Sequence, residues 1–205
     1  GLLLGALIDH LLPELGNKFK IISWSLDLIF AAAVIVWVRG EVDLGSILIF
    51  LIWGCIQFNA HRLSNDARMP AIMVVVAAIG LATIAWIGDI LADRNLAFGV
   101  SSTGLGFLVW LWFKRDLPLG FSFFWSSFTA LLLIALRVIE ANPLMAAPIL
   151  VLGFVFFTDS ILSQKKLWPT YFKQFAAPII VCALSILPIV LASASALVAT
   201  TLINY

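Results

Sequence analysis

The chain has 205 residues, of which 63% are hydrophobic and only 11% are charged, and its formal net charge is +1. So few charged side chains cannot cover a water-facing surface, and this composition excludes an ordinary soluble globular protein. The near-neutral charge also argues against a nucleic-acid partner, because nucleic-acid-binding domains carry a basic surface. The length predicts one domain over residues 1–205.

Seven apolar segments are each close to the roughly 20 residues that a membrane-spanning helix needs. They cover residues 21–38, 44–60, 71–87, 97–113, 121–136, 143–163 and 175–203. Short charged breaks that contain Gly, Pro, Asn or Asp separate them, as is typical of loops. The sequence therefore predicts an all-α, polytopic transmembrane helix bundle with seven full spans.

The apolar run at residues 2–12 is too short to span a membrane. We interpret it as either the tail of an eighth, truncated helix or an interfacial helix. Because it carries Asp9 and His10 and lacks a basic leading region, we do not expect a cleavable signal peptide.

Lysines and arginines predict the orientation of the bundle. If the residues before position 21 lie on one side and the chain then alternates, nine basic residues fall on that side and three on the other. The nine are Lys18, Lys20, Arg62, Arg68, Lys114, Arg115, Lys165, Lys166 and Lys173, and the three are Arg39, Arg94 and Arg137. Loops rich in lysine and arginine usually face the cytoplasm. We therefore predict a multi-pass protein of a bacterial inner membrane, with the side that carries nine basic residues in the cytoplasm.

Three polar side chains lie inside predicted spans near this cytoplasmic side: Asp27, Asn59 and Asp159. Helical rise places each of them on the order of 5–10 Å below the boundary. A carboxylate within a span is costly and usually faces the bundle interior or a wet cavity. We therefore predict one polar pocket, with Asp159 at its centre.

Two interpretations of this pocket stay open. A carboxyl group in apolar surroundings can exchange a proton near neutral pH, so Asp159 could activate water in a hydrolase. Alternatively, the three side chains hydrogen-bond neighbouring helices and only hold the bundle together. For Asp27 the packing role is favoured, because its depth lets it reach the interface.

Other residues receive structural interpretations. Cys55 and Cys182 lie in apolar runs and read as small buried hydrophobes. No Cys/His cluster has metal-ligand spacing, so we predict no metal and no cofactor. Asp89 and Asp93 are interpreted as part of a solvated loop, and Arg137 and Glu140 as a pair at a helix end. Gly99, Gly104 and Gly106 are interpreted as positions where helices approach closely.

The order of these features resembles the lysoplasmalogenase (YhhN-like) membrane family, an eight-helix bundle with a Gly-Asp pair on its third helix and a Ser-Asp or similar pair on its seventh. Here Gly153-Phe-Val-Phe-Phe-Thr-Asp-Ser-Ile-Leu is similar to the second motif, with Thr158-Asp159 as the pair. The first motif falls on Gln57-Phe-Asn59-Ala-His-Arg62, where Asn59 replaces the family's aspartate. The family's Lys-Pro at the start of its second helix is also missing.

The resemblance implies hydrolysis of the vinyl-ether bond of a lysophospholipid, lysoplasmalogen, to a fatty aldehyde and a glycerophospho-amine. An amide cannot carry a proton, so with Asn59 either Asp27 takes the second acidic role or the activity is weak, altered or absent. The catalytic candidates are Asp159, Asn59 and Asp27, and the expected partner is membrane lipid.

Two rival functions remain. A non-catalytic relative would act as an accessory or assembly subunit of a larger membrane complex, and the missing first aspartate favours this reading. A small transporter would use Asp159 and Asp27 as proton or ion sites. It ranks last, because transporters often show internal repeats and none is convincing here.

Overall fold

The computed structural model describes residues 16–62, 68–113, 121–157, 183, 186–198 and 200–201. Throughout these residues the regular structure is helical. The helices are α1 (Gly16–Arg39), α2 (Leu44–Arg62), α3 (Arg68–Ile87), α4 (Leu91–Phe113), α5 (Phe121–Ala141), α6 (Ala146–Gly153) and α7 (Ile186–Val198). Short 3₁₀ turns, Pro143–Met145 and Phe154–Phe157, flank α6.

The all-α prediction is confirmed for the described part of the chain, where each of the seven apolar segments contains helix. Observed helices α1 and α4 begin several residues before the predicted apolar segments. The extra residues include charged side chains, which a hydropathy pattern excludes but a helix end accepts. The run at residues 2–12 and the pair Thr158-Asp159 lie outside the described residues.

Helix α3 lies at the centre of the bundle and is mostly buried. It contacts α4 along most of its length, and it also contacts α5, α6 and the 3₁₀ turn Phe154–Phe157. Helix α1 packs against α2 and α5. On α7, Ala192 and Ala196 are buried and face the same apolar core.

A tight turn joins α3 to α4 and makes them an antiparallel pair. Ile90 N–H donates to the Ala85 carbonyl at 2.8 Å, and Asp89 N–H donates to the Trp86 carbonyl at 3.1 Å. This pattern is a Schellman motif, whose left-handed position is usually glycine. Here Asp89 occupies it with φ of 56°, a conformation that aspartate tolerates better than most residues.

Only one of the three glycines that the sequence assigned to close helix approach actually serves it. A Cβ built on Gly104 of α4 would lie 2.6 Å from Val75 Cγ2 of α3, whereas Gly99 and Gly106 have nothing within 4 Å. A second close approach involves Gly80 of α3, where a Cβ would overlap the Leu152 side chain of α6. Small residues at these two positions let α3 pack tightly against both neighbours.

The interpretation of Asp93 as part of a solvated loop is wrong. Asp93 lies in the first turn of α4, is 3% exposed, and pairs with Arg137 of α5 at 3.0 Å. The Arg137 guanidinium therefore bridges two helices, a contact that its spacing from Glu140 on α5 did not predict. A carboxylate in the first turn of a helix is also favoured by the helix dipole.

The outer faces of the helices expose many large apolar side chains, while several polar side chains are buried between the helices. Large exposed apolar residues occur on several helices, including Ile29, Trp37, Leu51, Leu96, Leu187 and Val198. Among the residues that the structure describes, the buried polar or charged ones are Asp27, Ser46, Gln57, Asn59, Asp93 and Ser101. Cys55 also lies on an exposed face, contrary to the expectation that it is buried, because α2 turns it away from Gln57.

By length and composition, one described helical stretch, Met69–Ile87, is long and apolar enough to cross a membrane. It is also mostly buried by its neighbours. Three shorter apolar helical stretches occur at Leu44–Ala60, Pro143–Phe157 and Ile186–Val198.

Substitution of the α4 glycines tests this packing. We expect Gly104→Ala to destabilise the fold by about 1–3 kcal/mol, because the new methyl group overlaps Val75 across the α3–α4 contact. Gly106→Ala, two residues away and facing open space, should instead stabilise it by about 0.5–1 kcal/mol through helix propensity. Thermal unfolding of the purified full chain in detergent measures both; equal shifts in the two variants would contradict the assigned packing.

Candidate functional site

Helices α1 and α2 pack antiparallel in a register that two contacts define. The Trp24 ring meets the Phe58 ring edge-on with centroids 5.9 Å apart, and a Cβ on Gly54 would lie 3.4 Å from Leu28 Cδ2. In this register Asp27 of α1 lies at the same height along the helix pair as Cys55 of α2.

The register brings two of the three predicted site residues to nearby depths. Asp27 is 3% exposed and Asn59 is 7% exposed. Asp27 lies about four residues, or roughly 6 Å of helical rise, from the level of Asn59. Gln57, 4% exposed, lies between these two levels. The packing of α1 on α2 therefore places Asp27 and Asn59 about one helical turn apart in depth, while Asp159 lies outside the described residues.

Asn59 joins α2 to the chain segment that follows α6. Its Nδ2 donates a hydrogen bond to the Phe156 carbonyl oxygen in the 3₁₀ turn Phe154–Phe157. One turn earlier, a Cβ on Gly153 would lie 3.4 Å from Ile56 Cδ1, so the two segments run side by side. The bond gives the Phe156 carbonyl oxygen a side-chain donor inside an otherwise apolar core.

An aromatic cluster of Trp53, Phe128 and Phe156 packs beside this hydrogen bond. The Phe128 ring centroid lies 5.9 Å from Trp53 and 5.4 Å from Phe156. The rings meet at tilted angles, the arrangement that aromatic pairs prefer. The cluster therefore connects α2, α5 and the 3₁₀ turn directly next to Asn59.

A cavity of about 420 Å³ begins at the aromatic cluster and extends away from Asn59. It lies between α2, α3, α5 and α6, and it reaches Arg39 at its other end. Leu48, Ile52 and Leu150 line it and are each substantially exposed, so the cavity opens sideways between α2 and α6. Its volume is in the range of small-molecule sites, roughly 300–1,000 Å³.

No pattern in the sequence predicted this cavity. The sequence feature that could have indicated a cavity is a set of small residues that leave space between the helices: Gly45, Ala77, Ala135, Ala146 and Gly153. Alanine and glycine are also common at ordinary helix contacts, so their positions alone do not separate a cavity from close packing.

A capped turn forms the Arg39 end of the cavity. Asp43 Oδ1 accepts hydrogen bonds from Ser46 N at 2.8 Å and Ser46 Oγ at 2.6 Å, which caps the start of α2. Arg39 Nη2 donates to Asp43 Oδ2 at 2.7 Å. The Ser46 bonds, and then the nearby Arg39 guanidinium, lower the pKa of Asp43 from 3.8 to about 2.

Arg39 keeps one donor available at this end. Its Nε is buried and has no hydrogen-bond partner among the described residues. Gly40 takes φ of 69°, the left-handed conformation that ends α1 and lets the chain turn directly back into α2.

No protein-family model, curated protein or solved structure matches this chain. Within the described residues, no group of three or more His, Cys, Asp or Glu side chains is placed to hold a metal ion. The resemblance to the lysoplasmalogenase family and the roles of Asp159, Asn59 and Asp27 therefore stay predictions from the sequence.

Replacing Asn59 by leucine tests the connection between α2 and the 3₁₀ turn. We expect Asn59→Leu to destabilise the fold by about 1–3 kcal/mol, because the buried Phe156 carbonyl loses its donor. Thr83→Val is the control: it removes a local bond from Thr83 Oγ1 to the Ile79 carbonyl, which already accepts within the helix. An unfolding midpoint for Asn59→Leu no lower than that of Thr83→Val would contradict a structural role for Asn59.

Acid titration tests the capped turn. Because the pKa of Asp43 is lower in the folded chain than its ordinary 3.8, its ionised form stabilises the fold above about pH 4. That contribution should disappear as the pH falls through about 2. Asp43→Asn keeps an acceptor oxygen but not the charge, so its midpoint should lie below that of the parent near neutral pH. The difference should shrink between about pH 4 and pH 2, and a constant difference would contradict the assignment.

Proposed function

We propose that this chain is a multi-pass protein of a bacterial inner membrane. The apolar outer faces support this proposal, because a soluble monomer rarely exposes so much continuous apolar surface. Trp37 is 77% exposed at the end of α1, and Trp86 is 64% exposed at the end of α3. Alternate helices bring these two ends to the same side, where an interfacial belt of tryptophan would lie.

The basic residues give the proposed orientation. The Asn59 end of α2 adjoins the side with nine lysines and arginines, which would face the cytoplasm. The Arg39 end of the cavity would then face the opposite side of the membrane. Asp27 and Asn59 would lie in the cytoplasmic leaflet, within reach of a lipid whose head group is at that interface.

The proposed activity is a membrane-embedded, lysoplasmalogenase-like hydrolysis of the vinyl ether of a lysophospholipid. The observation that carries it is the burial of Asp27, Gln57 and Asn59 at neighbouring depths inside an otherwise apolar bundle. Polar side chains at such positions are costly in a membrane and are usually kept for function. The resemblance of Thr158-Asp159 and its surroundings to the family motif supplies the reaction type.

The reaction needs a proton and a water molecule. Protonation of the vinyl carbon gives an oxocarbenium ion, water adds to it with loss of a proton, and the resulting hemiacetal separates into a fatty aldehyde and the glycerophospho-amine. In the proposal Asp159 supplies and recovers the proton. Asn59 acts only as a hydrogen-bonding partner, because an amide does not transfer protons. Asp27 takes the role of the second carboxyl group, which the family's first aspartate would fill.

A non-catalytic accessory subunit of a larger membrane complex is the second candidate. The observation that favours it is the use of the Asn59 amide: its Nδ2 holds the Phe156 carbonyl oxygen. A side chain committed to packing in this way fits a fold that has given up its chemistry. In that case the apolar outer faces would bind protein as well as lipid.

An aldehyde-release assay tests the first candidate. The purified full chain in detergent is supplied with a lysoplasmalogen, beside Asp159→Asn and Asn59→Asp variants. We expect release by the parent chain, and a loss of at least about 100-fold in Asp159→Asn, because removal of a general acid typically costs that much or more. Asn59→Asp should increase the rate if a second carboxyl group completes the pair.

The other outcomes separate the two candidates. Release by Asn59→Asp alone indicates a family fold that has lost its activity through the Asn59 substitution. No release by any of the three folded chains rejects the hydrolase and leaves the accessory role. Equal release by the parent and Asp159→Asn would remove Asp159 from the catalytic set.

A further inference from the structure

The cavity between α2, α3, α5 and α6 is lined almost wholly by apolar side chains, with Arg39 as its charged residue. Whatever fills it is therefore hydrocarbon over most of its length. A volume of about 420 Å³ is in the range of sites that hold one small organic molecule or one acyl chain.

The sideways opening indicates how such a chain enters. Leu48, Ile52 and Leu150 form its edges and are 51%, 40% and 50% exposed. In a bundle surrounded by lipid, this opening faces neighbouring acyl chains directly. A chain can therefore move from the bilayer into the cavity while its head group stays at the interface.

The charges at the Arg39 end select the head group. Arg39 offers a buried Nε–H that has no hydrogen-bond partner among the described residues, while Glu41 and Asp43 are exposed in the same short connection. A purely anionic head group would be attracted by Arg39 and repelled by both carboxylates. A head group that carries a phosphate and an ammonium matches both signs.

We propose that the cavity binds one acyl chain of a zwitterionic phospholipid, with its phosphate at Arg39 and its ammonium at Glu41 and Asp43. This site rests on the proposed membrane location but goes beyond the proposed hydrolase: Asp27 and Asn59 do not line the cavity, its charged end lies at the opposite end of α2 from Asn59, and lipid binding there breaks no bond. The bound lipid fills space between four helices that the side chains leave empty.

Trp53 provides a specific reporter for this chain. It lines the cavity and is 8% exposed, so surrounding lipid has little access to it except through the cavity. Bromine atoms quench indole fluorescence on contact. A phospholipid with a phosphoethanolamine head group and mid-chain bromines should therefore quench Trp53 when its chain occupies the site.

The test titrates this brominated lipid into the full chain in detergent micelles. We expect a saturable component of quenching in the parent and in Trp86→Phe, which removes an exposed tryptophan outside the cavity. Trp53→Phe should lack that component. The same saturable component in Trp53→Phe would overturn the proposal.

Filling the cavity gives a second, independent measurement. Ala146 lines the cavity at the start of α6, and Ala146→Phe should abolish the saturable quenching while Trp53 remains. Leu48→Phe at the lateral edge serves the same purpose if Ala146→Phe does not fold. Undiminished quenching in a folded filled variant would reject the cavity as the binding site.

Lipids of different charge test the head-group assignment. A brominated phosphoglycerol lipid and a brominated fatty acid should bind more weakly than the phosphoethanolamine lipid. Glu41→Gln should reduce the preference for the zwitterion by about threefold, a size typical of one exposed charge pair. Equal or tighter binding of either anionic lipid by the parent would overturn the assignment.

The outcome of the Trp53 quenching experiment does not depend on the outcome of the aldehyde-release assay. Saturable quenching of Trp53 without aldehyde release supports the lipid site and rejects only the hydrolase. Aldehyde release without saturable quenching supports the hydrolase and rejects only the lipid site.

Discussion

The hydrogen bond from the Asn59 amide to the Phe156 carbonyl oxygen joins the two parts of this molecule that define its interior. On one side of it lie α1 and α2 with their buried polar residues, and on the other lies the segment that follows α6. The donor is an amide in an apolar core, where an unpaired carbonyl is costly. This bond therefore fixes where the 3₁₀ turn sits against α2, and the aromatic cluster packs on the same junction.

This junction separates two different environments along α2. Toward one end, Asp27, Gln57 and Asn59 form a polar level buried between helices. Toward the other, Trp53 and Phe156 begin an apolar cavity that ends at Arg39. The proposed proton-transfer site and the proposed hydrocarbon site both lie along α2. Asp27, Gln57 and Asn59 do not line the cavity, so each proposal can be tested while the other site is intact.

Much of the helical layout was predictable from the sequence. Runs of apolar residues between short charged breaks locate α1 to α6, because each break contains residues that favour turns. The burial of Asp27 and Asn59 within about one helical turn of depth was also predictable, since both lie inside apolar segments near the same end of the bundle. The role of Asn59 as a donor to the segment after α6 was not, because hydropathy carries no information on which helices touch.

The interpretations of Asp93 and of the α4 glycines were wrong for the same reason. Asp93 was placed in a solvated loop because it follows Asp89 and precedes Arg94, yet it is buried against Arg137 of α5. Gly104 and Gly106 look alike in the sequence, but only Gly104 faces Val75 closely. The burial of Asp93 and the close approach at Gly104 both depend on how each helix is rotated about its axis relative to its neighbour.

The sequence by itself determined that the described chain is helical, where most of its helices lie, and that Asp27 and Asn59 fall inside apolar helical segments. These properties follow from local composition and from the fixed rise of an α-helix. Only the tertiary structure decided which polar groups pair, which glycines allow close packing, and that a cavity remains between four helices. Those properties depend on the azimuth and spacing of helices that are distant in the chain, which no local pattern specifies.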